Sequence, residues 1–176
     1  MESSGYYGTV AGLTLVKARE ENLPAIMQIL KNNALWLREK GVDQWRHLLT
    51  DEEDIQIREN ILAGETYILL DEEKAAATFT LSLLQNDWDR ELWEDAPERT
   101  LYLHRLAVCP DYKGKRIGEA ALSWIRSQLT ADGQAAMLRL DCVAGNDRLN
   151  SFYQEVGCTF EGKTPSGFSK YSIGPL

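Results

Sequence analysis

Residues 101–122, LYLHRLAVCPDYKGKRIGEAAL, constrain the chain more than any other stretch. Leu101 to Val108 is apolar and β-prone, and Pro110, which cannot donate to a ladder, ends the strand. From Tyr112 to Gly118 the chain carries two glycines and three cations, Lys113, Lys115 and Arg116. Apolar residues then recur at helical spacing, at Ile117, Ala121, Trp124 and Ile125, which predicts a helix beginning near Arg116. A glycine-bearing loop feeding a helix N-terminus suits phosphate. The first N–H groups of the helix lack partners, its dipole is positive there, and the cations add charge. No Gly-Lys-Ser/Thr follows, so the loop is not a P-loop, and the Gly-x-Gly-x-x-Gly spacing of dinucleotide sites is missing. Taken alone, the loop fits a capped helix start with surface lysines equally well.

The rest of the chain supplies a frame for this segment. Its 176 residues suit one domain with a real core, placed at 14–176. The small, polar, glycine-rich residues 1–13 read as a flexible arm. Thr14 to Ala18 reads as a strand. Asn22 is a candidate cap for a helix that buries Leu23, Ile26, Met27, Leu30, Ala34 and Leu37. A second helix is predicted over 52–63, strands over 66–70 and 75–84, and an acidic loop or short helix over 87–99. A strand over 136–143, a helix over 148–156 and a closing strand pair at 159–160 and 168–173 complete the order. Asp132-Gly133 marks a turn. Strands separated by helices predict a mixed sheet covered on both faces.

Charge and cysteine content narrow the function classes. The net charge of −8 disfavours nucleic acid as a partner and suits a cationic small molecule or basic peptide. No apolar run has the length to cross a membrane, and no basic-then-apolar leader begins the chain. Three cysteines without a Cys-x-x-Cys pair suit free thiols in the cytoplasm. Two histidines without a ligand cluster make a metal site improbable.

The loop Lys113-Gly114-Lys115-Arg116-Ile117-Gly118 resembles the acetyl-CoA signature of the GNAT family of N-acetyltransferases, Gln/Arg-x-x-Gly-x-Gly/Ala. Lys113 stands for the Gln or Arg, Arg116 for the first signature glycine, and Gly118 is retained. The flanks add to the match: His104-Arg105-Leu106-Ala107-Val108 before the loop, and Asn146 with Phe152-Tyr153-x-x-x-Gly157 after it. Cys158 replaces the usual Phe after that glycine. The element order is also similar to the family's over roughly 14–173. The resemblance implies an α/β fold, with a mixed, mostly antiparallel central sheet of six to seven strands and about four helices. It further implies acetyl transfer from acetyl-CoA to a primary amine by direct attack in a ternary complex. The acceptor is a small amine or a peptide amine, and family members often form homodimers.

The same resemblance assigns roles. Backbone N–H groups of 113–118 grip the pyrophosphate. A bulge at Leu106, Ala107 and Val108 frees main-chain groups for the pantetheine arm and the thioester oxygen, although Leu-Ala-Val also makes a plain core strand. Asn146 contacts the CoA arm, and Tyr153 protonates the leaving thiolate. His104, which some arylalkylamine N-acetyltransferases match, is the candidate base, with a structural hydrogen bond as the alternative and a water or glutamate relay as another route. Trp36 and Trp45 border the acceptor cleft, and Tyr102 points the same way as His104 by strand alternation; packing explains each aromatic as well. A non-catalytic acyl-CoA-binding module of the same fold is the second reading.

Overall fold

The computed structural model describes residues 5–50, 53–131 and 135–175. Among them lie eight strands and five α-helices, one strand and one helix more than the resemblance implies at most. The element order is β1 (Tyr6–Val10), β2 (Leu13–Lys17), α1 (Leu23–Glu39), α2 (Glu53–Leu62), β3 (Thr66–Asp71), β4 (Lys74–Ser82) and α3 (Asp87–Leu92). Then come β5 (Thr100–Val108), α4 (Ile117–Ala131), β6 (Met137–Val143), α5 (Asp147–Glu155), β7 (Thr159–Lys163) and β8 (Phe168–Ile173). The mixed, mostly antiparallel α/β fold is therefore as expected. The extra strand is β1, in the segment read as an arm: it pairs with β2 from Tyr6↔Val16 to Val10↔Leu13. The turn read at Asp132-Gly133 lies outside the described residues.

The chain divides into two compact units, residues 1–81 with 105–121 and residues 82–104 with 122–176. In the first, β1 to β4 pair antiparallel in chain order, with α1 and α2 between β2 and β3, and Thr14↔Leu70 and Thr66↔Thr80 are among the pairs. Ile26, Met27, Ile29, Leu30 and Ala34 of α1 pack with Leu48, Ile57, Ile61, Ile68 and Ala107. Their spacing along α1 is the apolar stripe that the sequence predicts. Asn22 does not cap this helix. Its Oδ1 turns back to accept the Arg19 N–H at 2.8 Å, and Pro24 sits in the first turn, where its missing N–H costs nothing.

In the second unit β6 pairs antiparallel with β8 from Leu138↔Ile173 to Val143↔Phe168, and β7 closes on β8. β5 runs parallel to β6 over Thr100↔Met137, Leu101↔Leu138 and Tyr102↔Arg139. Leu92, Trp93 and Tyr102 form a buried cluster, with Trp88 and Phe168 against it. No helix among the described residues is long and apolar enough to cross a membrane.

Candidate active site

In the first unit, a 3₁₀ turn at Pro110–Tyr112 follows β5. Tyr112 is buried and anchors the loop, donating its hydroxyl to Asp71 Oδ2 at 2.8 Å; that bond to a carboxylate holds the phenol's pKa up. Lys113, Gly114, Lys115 and Arg116 are exposed, Ile117 is buried and Gly118 is half-buried. Gly114 has φ +82° and Arg116 φ +57°. The Ala120 N–H reaches Arg116 O at 3.1 Å, so the N–H groups of Ile117, Gly118 and Glu119 precede the helix's own ladder.

Each loop cation has a neighbour. Arg116 makes a two-pronged ion pair with Glu119 at 2.7 and 2.8 Å. Lys115 Nζ lies 4.9 Å from the centre of the Tyr112 ring. Lys113 Nζ lies 3.6 Å from the centre of the Trp36 ring. Lys113 thus makes a cation–π contact with Trp36. Trp45, the other tryptophan expected at the acceptor cleft, has φ +62° and packs against the core cluster of α1 and α2.

The last residues of β5 are not a plain strand. Arg105 has φ +52°, a left-handed residue of the kind that marks a bulge, and its guanidinium donates to Asn60 Oδ1. Leu106 and Val108 are half-buried and Ala107 is buried. Val108 O accepts from Asn33 Nδ2 at 2.9 Å, and the same amide donates to Ile29 O at 2.9 Å. Asn33 escaped the sequence reading, although an amide inside the apolar stripe of α1 is a visible irregularity.

In the second unit, β5 leaves the β6 ladder after Tyr102. Tyr102 itself is buried, and its hydroxyl accepts from Gln85 Nε2 at 3.0 Å; it is a core residue and not an open wall. His104 has a side chain only 11% exposed, with Nε2 3.1 Å from Asp89 Oδ2. Asp141 Oδ2 accepts from Trp88 Nε1 at 3.2 Å. Burial pushes the Asp141 carboxyl up to about 6, while His104 and the Trp88 bond pull it down and Asp89 adds to the rise. Asp141 is a functional candidate that the sequence does not single out; Asp89 is one of three acids, with Asp43 and Asp87, that the sequence offers as partners for a second amine, and the structure sets it beside His104.

Asn146 is buried and its Oδ1 accepts the Leu149 N–H at 3.2 Å, capping α5. Tyr153, on the same helix, is 5% exposed and packs beside Phe152 and Tyr171. Its hydroxyl makes no hydrogen bond among the described residues. Burial, and then the charges of Cys142 and Asp141, hold this phenol far above its ordinary pKa. All three cysteines are free. Burial pushes Cys142 up to about 12 and Cys158 up to about 11, so both stay thiols at neutral pH. Among the described residues no group of three or more His, Cys, Asp or Glu could hold a metal ion.

The sequence model of the acetyltransferase (GNAT) family matches residues 29–158. The chain belongs to this family. It is 36% identical over 149 residues to the uncharacterized N-acetyltransferase YesJ of Bacillus subtilis, covering 84% of this chain and 82% of that one. A GNAT-family acetyltransferase from Listeria monocytogenes superposes with a TM-score of 0.78 at 29% identity, over 95% of this chain and 98% of the other. The paia N-acetyltransferase of Thermoplasma acidophilum, solved with coenzyme A, shares the fold at a TM-score of 0.74 and 16% identity, over 92% and 98%.

The GNAT signature explains one oddity of the loop. Arg116 stands where the family has glycine, and it adopts the left-handed φ that glycine reaches at least cost. The raised Asp141 carboxyl has a stability consequence for this GNAT chain. The unfolded chain releases that proton near 3.8, the folded chain near 6. Asp141 therefore costs stability that builds between those pH values and persists above them. Asp141→Asn keeps an acceptor for Trp88 and removes the charge. It is expected to melt above the parent protein at pH 7.5 and level with it at pH 4; an equal difference at both pH values would contradict this.

Proposed function

We propose that the protein moves an acetyl group from acetyl-CoA to a primary amine by direct attack in a ternary complex. The observation that carries this reading is the departure of β5 from β6 after Tyr102, while β6 continues its ladder with β8 to Val143. In GNAT enzymes the opened strand edge receives the pantetheine arm. The exposed residues 113–116 and the first N–H groups of α4 suit the pyrophosphate. The amine nitrogen attacks the thioester carbon, and main-chain N–H groups of Leu106 to Val108 stabilise the oxygen, which gains charge. His104 takes the amine proton. The C–S bond breaks, and the Tyr153 hydroxyl gives its proton to the departing thiolate. The buried, protonated Cys142 and Cys158 are poor nucleophiles for an acyl-enzyme.

Calorimetry with acetyl-CoA, followed by thiol release with a panel of amines, tests the proposal. The panel spans polyamines, arylalkylamines, aminoglycosides and peptides with free N-termini. Micromolar binding and acceptor-dependent thiol release are expected. Binding without release from any amine would favour a non-catalytic acyl-CoA sensor, and no binding would end both readings.

A further inference from the structure

We propose that Asp89 is a positioning residue for His104: it fixes the imidazole proton on Nε2 and so makes Nδ1 the atom that receives the proton of the attacking amine. The proposal rests on His104 being the base of the reaction above. Asp89 is 1% exposed, and its Oδ2 lies 3.1 Å from His104 Nε2 and accepts the Asn86 N–H at 3.1 Å. Asn86 Oδ1 in turn accepts the Asp89 N–H at 2.8 Å. This reciprocal cap locks the start of α3, so the carboxylate is held before the imidazole meets it. An ionised carboxylate can only accept, hence Nε2 carries the hydrogen and Nδ1 the lone pair. The preceding residue, Trp88, ties down Asp141 through its indole N–H. Two consecutive residues of α3 thus hold one group on β5 and one on β6.

The proton balance is simple. The amine N–H bond breaks as the N–C bond forms, and the proton moves to Nδ1. The imidazolium keeps its Nε2–H on the Asp89 carboxylate, which stabilises it. Asp89→Asn retains a cap at this position. However, its amide group can donate to Nε2 and so favour the wrong tautomer.

Nitrogen NMR of labelled histidine tests this with the intact protein. The chain has only His47 and His104, and the exposed His47 serves as the internal reference. His104 is expected to be protonated on Nε2 alone when neutral, whereas His47 shows the ordinary mixture. Asp89→Asn is expected to shift His104 toward Nδ1–H. In the same variant, kcat with the best amine of the panel should fall about a hundredfold or more, with KM for acetyl-CoA unchanged. A wild-type His104 spectrum that matches His47, which needs no variant to fold, would overturn the proposal. So would an altered tautomer with unaltered kcat. Inactivity of the wild-type protein toward every amine would instead remove the acetyltransferase reading itself, whatever the spectrum shows.

Discussion

Tyr153→Phe is expected to lower kcat by about a hundredfold to ten-thousandfold while leaving acetyl-CoA affinity within about twofold. The substitution removes one oxygen from a buried ring and keeps the contacts with Phe152 and Tyr171, so the helix and its packing should survive. The hydroxyl makes no hydrogen bond among the described residues, which leaves its proton available to a substrate atom. A phenol held far above its ordinary pKa is a weak acid, and an exposed thiolate would not take its proton. The surroundings act on sulfur in the same direction: Cys142, one of the groups acting on Tyr153, is pushed up to about 12 by burial. A thiolate expelled into this environment becomes strongly basic, and the gap between donor and acceptor narrows. Initial rates at saturating acetyl-CoA, paired with calorimetry, check the point. An unaltered kcat would take Tyr153 out of the reaction.

The second large effect concerns Gly118. Gly118→Asp places a carboxylate in the first turn of α4, where the helix dipole favours it, so the helix should be at least as stable as before. The same carboxylate stands beside the N–H groups proposed to hold the pyrophosphate. Repulsion between like charges there is expected to weaken acetyl-CoA binding by about tenfold to a hundredfold. A parent-like melting temperature with the lost affinity separates cofactor contact from folding damage. Retained affinity would place the phosphates elsewhere and overturn the assignment of the loop.

Local chemistry made much of this readable from the chain alone. Pro110 ends β5, Gly114 and the cations mark the loop, and the spacing of Ile26, Met27, Leu30 and Ala34 reveals α1. These features depend on neighbours a few residues apart. The misreadings involve partners far along the chain or unusual backbone. Asp89 looked like one acid among several in a connecting segment, and only the fold brings it to His104, fifteen positions on. Asp141 reads as an inward or outward strand position until Trp88 arrives from α3. The place of Trp36 and Trp45 between helices is readable in the chain, whereas Lys113 Nζ over the Trp36 ring and the packing of Trp45 against the core cluster come from the fold. β1 escaped because Tyr6 to Val10 has no buried face of its own beyond Val10; its order comes from pairing with β2.

That pairing bears on how the protein can be handled. β1 is the outermost strand, and the irregularity between Tyr6 and Gly8 interrupts its outer rim. Trimming the chain back to Thr14 would strip this cover and bare the main-chain groups of β2, an adhesive border that invites other copies to add on. Residues that look dispensable on paper are thus a guard against clumping.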